Sequence, residues 1–317
     1  MIALRPLSHT YGAIVAARNA LYDSRRLRIE RLRWPVVSIG NLTVGGSGKT
    51  PFVIALVEEF RKRGIACDVL SRGYGRRTSS VRVVNPAGTA EEFGDEPLLI
   101  ARRTGVPVIV GESRYAAGLK GESLAPAGPE RIHILDDGFQ HRNLARDFDL
   151  VMLDYEDLET HLLPAGRLRE PVSSLSRADA LAVTQPIPLP DKLRAIPQWC
   201  YRRIVEVPDE FARPLVFCGI ARAQRFFADL RREGVEPAFH LAFADHHRYS
   251  AADIDRLLKL RAQHRADGFL TTEKDLVRLG AFADELAPMI AVRLSIQYDD
   301  ADPMLSQILS RIALSRS

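Results

Sequence analysis

Cysteine is scarce in this sequence. The 317 residues hold three, at Cys67, Cys200 and Cys218, all far apart. Such spacing excludes a disulfide-stapled scaffold, fits no metal-ligand pattern, and suits thiols of a reducing compartment. Long hydrophobic runs are also missing. No stretch approaches 18 apolar residues, so no membrane-spanning helix is expected. The N-terminal stretch lacks the order of basic region, apolar block and small-residue cleavage site that marks a signal peptide. There are no internal repeats, no low-complexity segments and no recognised nucleic-acid module, and no nucleic-acid partner is expected. With 46% hydrophobic and 26% charged residues the chain reads as globular.

Charge of one sign is concentrated rather than abundant. Residues 1–34 hold seven arginines (Arg5, Arg18, Arg25, Arg26, Arg28, Arg31 and Arg33) against Asp23 and Glu30, a net of +5. The whole chain carries only +4, so the remainder is close to neutral. Over residues 2–30, Leu4, Leu7, Tyr11, Ile14, Leu21 and Tyr22 recur mostly at three- and four-residue steps and predict one amphipathic helix. A basic amphipathic helix can lie in an anionic membrane surface, or it can simply pack on a domain; the sequence leaves both open.

The stretch with the most specific content runs from Val36 to Pro51. An apolar strand (Val36, Val37, Ile39) leads into a glycine-rich loop, and Lys49-Thr50 opens a helical run to Arg63. Strand, glycine loop and helix are the context a phosphate-binding loop requires. Glycines let backbone N–H groups turn onto an anion, and the helix N-terminus faces the same spot. The nucleotide-binding stretch is therefore Thr43, Val44, Gly45, Gly46, Ser47, Gly48, Lys49, Thr50 and Pro51. Lys49 would reach the β- and γ-phosphates, and Thr50 would offer its hydroxyl to Mg²⁺. Thr43 stands where the usual pattern has glycine.

Short apolar runs then alternate with polar-faced helices. Strands are expected at 66–70, 81–84, 106–110, 132–135, 150–153 and 180–183, with helices over 51–63, 96–103 and 114–120. That alternation implies an α/β fold of phosphate-loop type, a mostly parallel sheet with helices on both faces. The expected organisation is a basic amphipathic helix over 1–34, a nucleotide-binding core over 35–196, a linker over 197–213, and a smaller C-terminal α/β domain over 214–317. The last opens with a strand at 215–218 and a helix at 223–233, continues with a helix at 251–263 and a strand at 269–271, and closes with helical runs.

Asp136 and Asp137 end an apolar strand, where phosphate-loop enzymes place a magnesium carboxylate. Asp95, in Gly94-Asp95-Glu96-Pro97, reads first as a helix cap; a base for an attacking hydroxyl is the other reading. The adjacent His246 and His247 point different ways and are unsuited to sharing a metal; by themselves they read as surface histidines. Arg72 and Arg114 each follow a strand, at the edge where such sheets bind ligands, and are candidate phosphate clamps. Arg169 and Glu170 form a further polar pair.

Taken in order, N-L-T-V-G-G-S-G-K-T-P, L-S-R-G-Y-G-R, G-D-E-P, I-L-D-D-G-F-Q-H-R, L-R-E-P, A-D-H-H-R-Y and T-T-E-K-D closely resemble the tetraacyldisaccharide 4′-kinases, the lipid A 4′-kinases of Gram-negative bacteria. The resemblance spans essentially the whole chain. It implies transfer of the γ-phosphate of ATP, with Mg²⁺, to the 4′-hydroxyl of a lipid-anchored tetraacyldisaccharide 1-phosphate, at the cytoplasmic face of the inner membrane. Residues 1–30 would provide the contact with the anionic surface, and no obligate protein partner is inferred. It also implies that Asp95 is the catalytic base, assisted by His246, that Lys49 serves the transferred phosphoryl, that Asp136 and Asp137 are the magnesium acids, and that Arg169 and Glu170 line the site. The competing classes are a GTPase switch and a metallochaperone. Thr272-Glu273-Lys274-Asp275 has the wrong spacing for guanine recognition, and no Cys/His cluster is present.

Overall fold

The computed structural model describes residues 4–46, 48–125 and 131–316. Among them, twelve strands form one sheet. They are β1 (Val36–Asn41), β2 (Cys67–Ser71), β3 (Arg82–Val83), β4 (Val108–Val110), β5 (Ile132–Asp136), β6 (Phe148–Met152), β7 (Ala180–Val183), β8 (Gln198–Glu206), β9 (Leu215–Cys218), β10 (Phe239–Ala242), β11 (Phe269–Thr272) and β12 (Met289–Tyr298). Their spatial order is β10-β9-β11-β12-β8-β7-β6-β1-β5-β2-β4-β3. All pairs are parallel except β3 with β4 at one edge and β8 with β12 in the middle. Two parallel sections thus meet at one antiparallel seam.

The helices are α1 (Arg5–Asp23), α2 (Lys49–Lys62), α3 (Ala90–Phe93), α4 (Asp95–Thr104), α5 (Arg114–Ser123), α6 (Glu156–Glu159), α7 (Ala223–Arg232), α8 (Ala251–His264), α9 (Glu273–Leu279) and α10 (Ala301–Arg316). Strand β1 lies between β5 and β6 and is buried throughout. The chain runs from β1 outward to β2 and β4, returns to β5, and crosses to β6 and β7 on the other side of β1. Ile39 pairs with Asp136, so the ends of β1 and β5 meet at one edge. Ligands bind at that carboxyl edge in such sheets. One core packs Phe52, Leu56 and Phe60 of α2 and Leu98 of α4 against Val37, Ile39 and Ile134.

Three expectations are corrected. The N-terminal helix ends at Asp23 rather than near residue 30: the Ser24 N–H returns to the Ala20 carbonyl and Arg25 turns left-handed at φ 56°. Arg25, Arg26, Arg28, Arg31 and Arg33 therefore follow the helix instead of riding on it. The segment 197–213, expected as a linker, contains β8, which pairs with both β7 and β12. The closing run, expected to be helical, contains β12. Val292, Leu294, Ile296 and Tyr298 alternate there with Arg293, Ser295 and Gln297, a period-two signal legible in the sequence. No helix among the described residues is long and apolar enough to cross a membrane.

Candidate active site

The phosphate-binding loop follows β1 directly. Gly45 (φ 92°) and Gly48 (φ 80°) adopt left-handed conformations that side chains disfavour, which is what the glycines contribute. Gly48 precedes α2, whose first residues are Lys49 and the buried Thr50. The Lys49 ammonium lies 2.9 Å from Asn41 Oδ1 and 3.2 Å from Asp137 Oδ1. The Val44 N–H donates to the Arg167 carbonyl, and Thr43 bridges to Leu168, tying the loop to the segment that carries Arg169. Ser47 lies outside the described residues.

Asp136 closes β5 and Asp137 follows it with a left-handed φ of 54°. Their environments differ. Burial, then the Glu96 and Asp137 carboxylates, push the Asp136 carboxyl up to about 7, and its Oδ2 accepts the Ser71 hydroxyl at 2.9 Å. Burial also acts on Asp137, but Lys49 and Arg169 outweigh it and hold that carboxyl well below the usual range. Arg169 grips Asp137 with two N–H groups, at 2.8 and 2.9 Å.

These groups line one cavity of about 630 Å³. Thr43, Val44, Gly45, Gly46, Gly48, Lys49, Thr50 and Pro51 form one wall, with Arg72, Arg114, Asp136, Asp137 and Arg169 around it. His246 and Lys274, from the second section of the sheet, also line the cavity. Phe226, Ile220, Val205 and Leu294 are among its apolar lining residues. Arg114 is buried and its Nη1 donates to the Glu112 carbonyl at 3.0 Å. Glu170 stands apart: it does not line the cavity, and instead accepts from Asn19 of α1 at 2.9 Å and from Arg177 at 2.8 Å.

Asp95 is the first residue of α4 and Gly94 occupies the cap position, so Asp95 does not cap the helix. Its Oδ2 lies 3.2 Å from His246 Nδ1. His246 faces the cavity and Asp95 sits behind it, 5% exposed and outside the cavity lining. Burial raises the Asp95 carboxyl, yet the His246 hydrogen bond and the Arg278 and Lys274 charges hold it below the usual range. In return, the hydrogen bond to Asp95 raises the His246 imidazole. His247 points away: its Nε2 lies 3.1 Å from Asp253 in the capping box of α8, and its ring stacks on Phe243.

Sequence reasoning missed Arg278, whose Nε donates to Asp95 at 2.7 Å. It also missed the pairing of Lys274 with Glu96, although Lys274 lies in the T-T-E-K-D stretch. Arg222, 2.7 Å from Asp154, is a further contact between the two sections of the sheet.

Residues 1–313 match the family described as tetraacyldisaccharide-1-P 4′-kinase. The chain belongs to that family. A tetraacyldisaccharide 4′-kinase of Koribacter versatilis is 48% identical over 98% of both chains, and one of Aquifex aeolicus is 34% identical over 98% of both. A crystal structure of LpxK from Aquifex aeolicus, in complex with ATP, superposes with a TM-score of 0.79 at 32% identity, covering 98% of this chain and 99% of that one. Family membership agrees with the resemblance carried by the seven motifs and does not favour a GTPase switch or a metallochaperone.

Proposed function

We propose that this protein transfers the γ-phosphate of ATP to the 4′-hydroxyl of tetraacyldisaccharide 1-phosphate, giving lipid IV-A. The observation that carries the reading is the lining of one cavity by two sets of groups: the phosphate loop with Asp136 and Asp137, and His246 backed by Asp95. The loop glycines and Lys49 hold the β- and γ-phosphates. The apolar lining residues Phe226 and Leu294 take the base of the nucleotide in this reading. Arg72, Arg114 and Arg169 line the same cavity and are assigned to meet phosphate, Arg169 while also paired with Asp137.

Thr50, Asp136 and Asp137 make a set of hard oxygen donors, which suits Mg²⁺. Burial, then the Glu96 and Asp137 carboxylates, raise the Asp136 carboxyl, and a divalent cation would relieve the cost of ionising it there. Since Lys49 and Arg169 already engage Asp137, we assign direct ligation to Thr50 and Asp136 and a supporting role to Asp137. When bound, Mg²⁺ supplies neutralisation of charge on the phosphate oxygens.

A sugar hydroxyl is a poor nucleophile at neutral pH and benefits from a base. His246 is the better-placed acceptor, because it lines the cavity and Asp95 does not. Taking Nδ1–H as the donor to Asp95, the neutral ring presents Nε2, 3.9 Å from Asp245 Oδ2, as the acceptor. The proton of the 4′-hydroxyl passes to Nε2, the oxygen bonds to the γ-phosphorus, and the bond from that phosphorus to the β–γ bridging oxygen breaks to release ADP. Asp95 stabilises the imidazolium that forms.

We assign the site to a membrane surface through α1. Leu7, Ile14 and Leu21 form an exposed stripe, while Ser8, Val15 and Tyr22 pack inward. The Tyr11 hydroxyl donates to the carbonyl of Arg169, a residue that lines the cavity, which ties α1 to that segment. The five arginines at 25–33 adjoin it. A peripheral enzyme at the cytoplasmic face of the inner membrane is the arrangement this supports. We also read 35–196 and 214–317 as two domains, with β8 as a paired strand between them. The test is transfer from labelled ATP to purified tetraacyldisaccharide 1-phosphate; label on the disaccharide supports the reading, and label only in free phosphate rejects it.

A further inference from the structure

We propose that Arg278 is a positioning residue for the Asp95–His246 pair, fixing the orientation of the carboxylate and the tautomer of the imidazole. The inference rests on the reading of His246 as the base. Arg278 belongs to α9, yet its guanidinium donates to Asp95 of α4, through Nε at 2.7 Å and also through Nη2. Its Nη1 donates to the Gly219 carbonyl and, at 3.2 Å, to Asp275 Oδ1. The Gly219 carbonyl also accepts the His246 N–H at 3.1 Å. One guanidinium therefore holds the carboxylate and shares the acceptor that shapes the histidine loop. That loop is strained, with His246 left-handed at φ 55°.

The carboxylate is held at both oxygens. Asp95 Oδ1 accepts the Glu96 N–H at 3.0 Å, and Oδ2 is shared by Arg278 and His246. Arg278 is itself anchored, because the buried Asp275 also accepts the Tyr249 hydroxyl and the Gly219 N–H, each at 3.0 Å. Both Arg278 and Asp95 side chains are 6% exposed, so water does not screen the pair. The other charged groups facing the pair are Lys274 from α9, Glu96 from α4 and Asp245 beside His246. Lys274 is engaged by Glu96, which leaves Arg278 as the cation bonded to Asp95. Arg278 Nη2 also lies 3.3 Å from His246 Nδ1, so engaging the guanidinium with the ionised carboxylate leaves Nδ1–H to Asp95 and Nε2, 3.9 Å from Asp245 Oδ2, as the acceptor; a planar fork suits that task better than an ammonium.

The experiment compares kcat, KM for ATP and the pH dependence of kcat for the full chain and for Arg278→Met, Arg278→Lys and His246→Ala, each checked for folding by circular dichroism. Removing Arg278 takes a positive charge from beside His246, while Lys274 and His246 keep Asp95 ionised at neutral pH. The acid limb of kcat should therefore move to higher pH. In Arg278→Met, kcat at pH 7 should fall roughly tenfold to a hundredfold, part of the 10²–10⁴ that a positioned base supplies. KM for ATP should stay within about twofold, and Arg278→Lys should recover part of kcat, as retained charge without the fork predicts. A folded Arg278→Met with the original limb and kcat overturns the inference. If that variant does not fold, an unchanged kcat in Arg278→Lys overturns it. Wild-type turnover in His246→Ala rejects the base itself; loss there with unaltered Arg278 variants rejects only the positioning role.

Discussion

His246 Nδ1 lies 3.2 Å from Asp95 Oδ2, although the two residues are 151 positions apart in sequence. Each changes the other: Asp95 raises the imidazole, and the imidazole helps to depress the carboxyl. Residues coupled in this way act as one unit, and their removal should be non-additive. His246→Ala and Asp95→Ala should each lower kcat by about 10²–10⁴, the range of a general base, and the double variant little further. ATP binding should persist in all three. Losses that multiply independently would argue against the pair.

The same pair sets a pH dependence. Asp95 is depressed below its ordinary 3.8, so its share of stability is present above that value and is lost as pH falls through the depressed one. His246 is raised above its ordinary 6.5, so its share is complete below 6.5 and is lost as pH rises through the raised value. The ion pair stabilises most between the two ordinary values. Turnover requires the neutral imidazole, so kcat should rise with pH along a limb centred above 6.5 and disappear as a feature in His246→Ala. A limb centred below 6.5 would contradict the geometry.

Lys49 opens α2, lines the cavity and lies 3.2 Å from Asp137 Oδ1. Lys49→Ala should cost about 10²–10³ in turnover, the loss typical when one electrostatic contact to developing charge is removed. A folded Lys49→Ala with near-normal turnover would rule out the phosphate-loop assignment.

Transfer should require a divalent cation, and Asp136→Asn should raise the Mg²⁺ concentration needed for half-maximal rate more than Asp137→Asn does. The asymmetry follows from the ion pairs that already occupy Asp137. Full transfer in excess chelator would defeat the metal assignment.

Membrane attachment should depend on the exposed stripe of α1. Replacing Leu7, Ile14 and Leu21 by Glu should release the protein from anionic vesicles, since each contributes apolar area that is otherwise in water. Replacing arginines among 25–33 should weaken binding by about 1 kcal/mol each and make it less sensitive to salt. Sedimentation of the triple variant with vesicles as fully as the wild type would leave α1 as packing alone.

The phosphate loop was legible in the sequence because its physics is local. Strand, glycines, Lys49 and Thr50 are contiguous, and backbone conformation alone makes the anion site. Asp136 and Asp137 were legible because a strand end is visible in the pattern of apolar residues. The strands β8 and β12 were hidden for opposite reasons. Charges in Tyr201–Glu206 mask a half-exposed strand, while the alternation in β12 was present but overlooked. Glu170 looked like a site residue beside Arg169, and only packing shows that it turns to Asn19 and Arg177.

The sequence by itself determined the α/β class, the strand, glycine loop and helix around Lys49, and the family, since each rests on contiguous residues. Only the tertiary structure decided that His246 faces the cavity, that Asp95 stands behind it rather than capping α4, and that Arg278 joins them. Asp95 and Arg278 are 183 residues apart, and no local propensity can report a contact made where two sections of a sheet close on one another. Their protonation states follow from that closure, because burial and ion pairing arise when the fold brings the charges together.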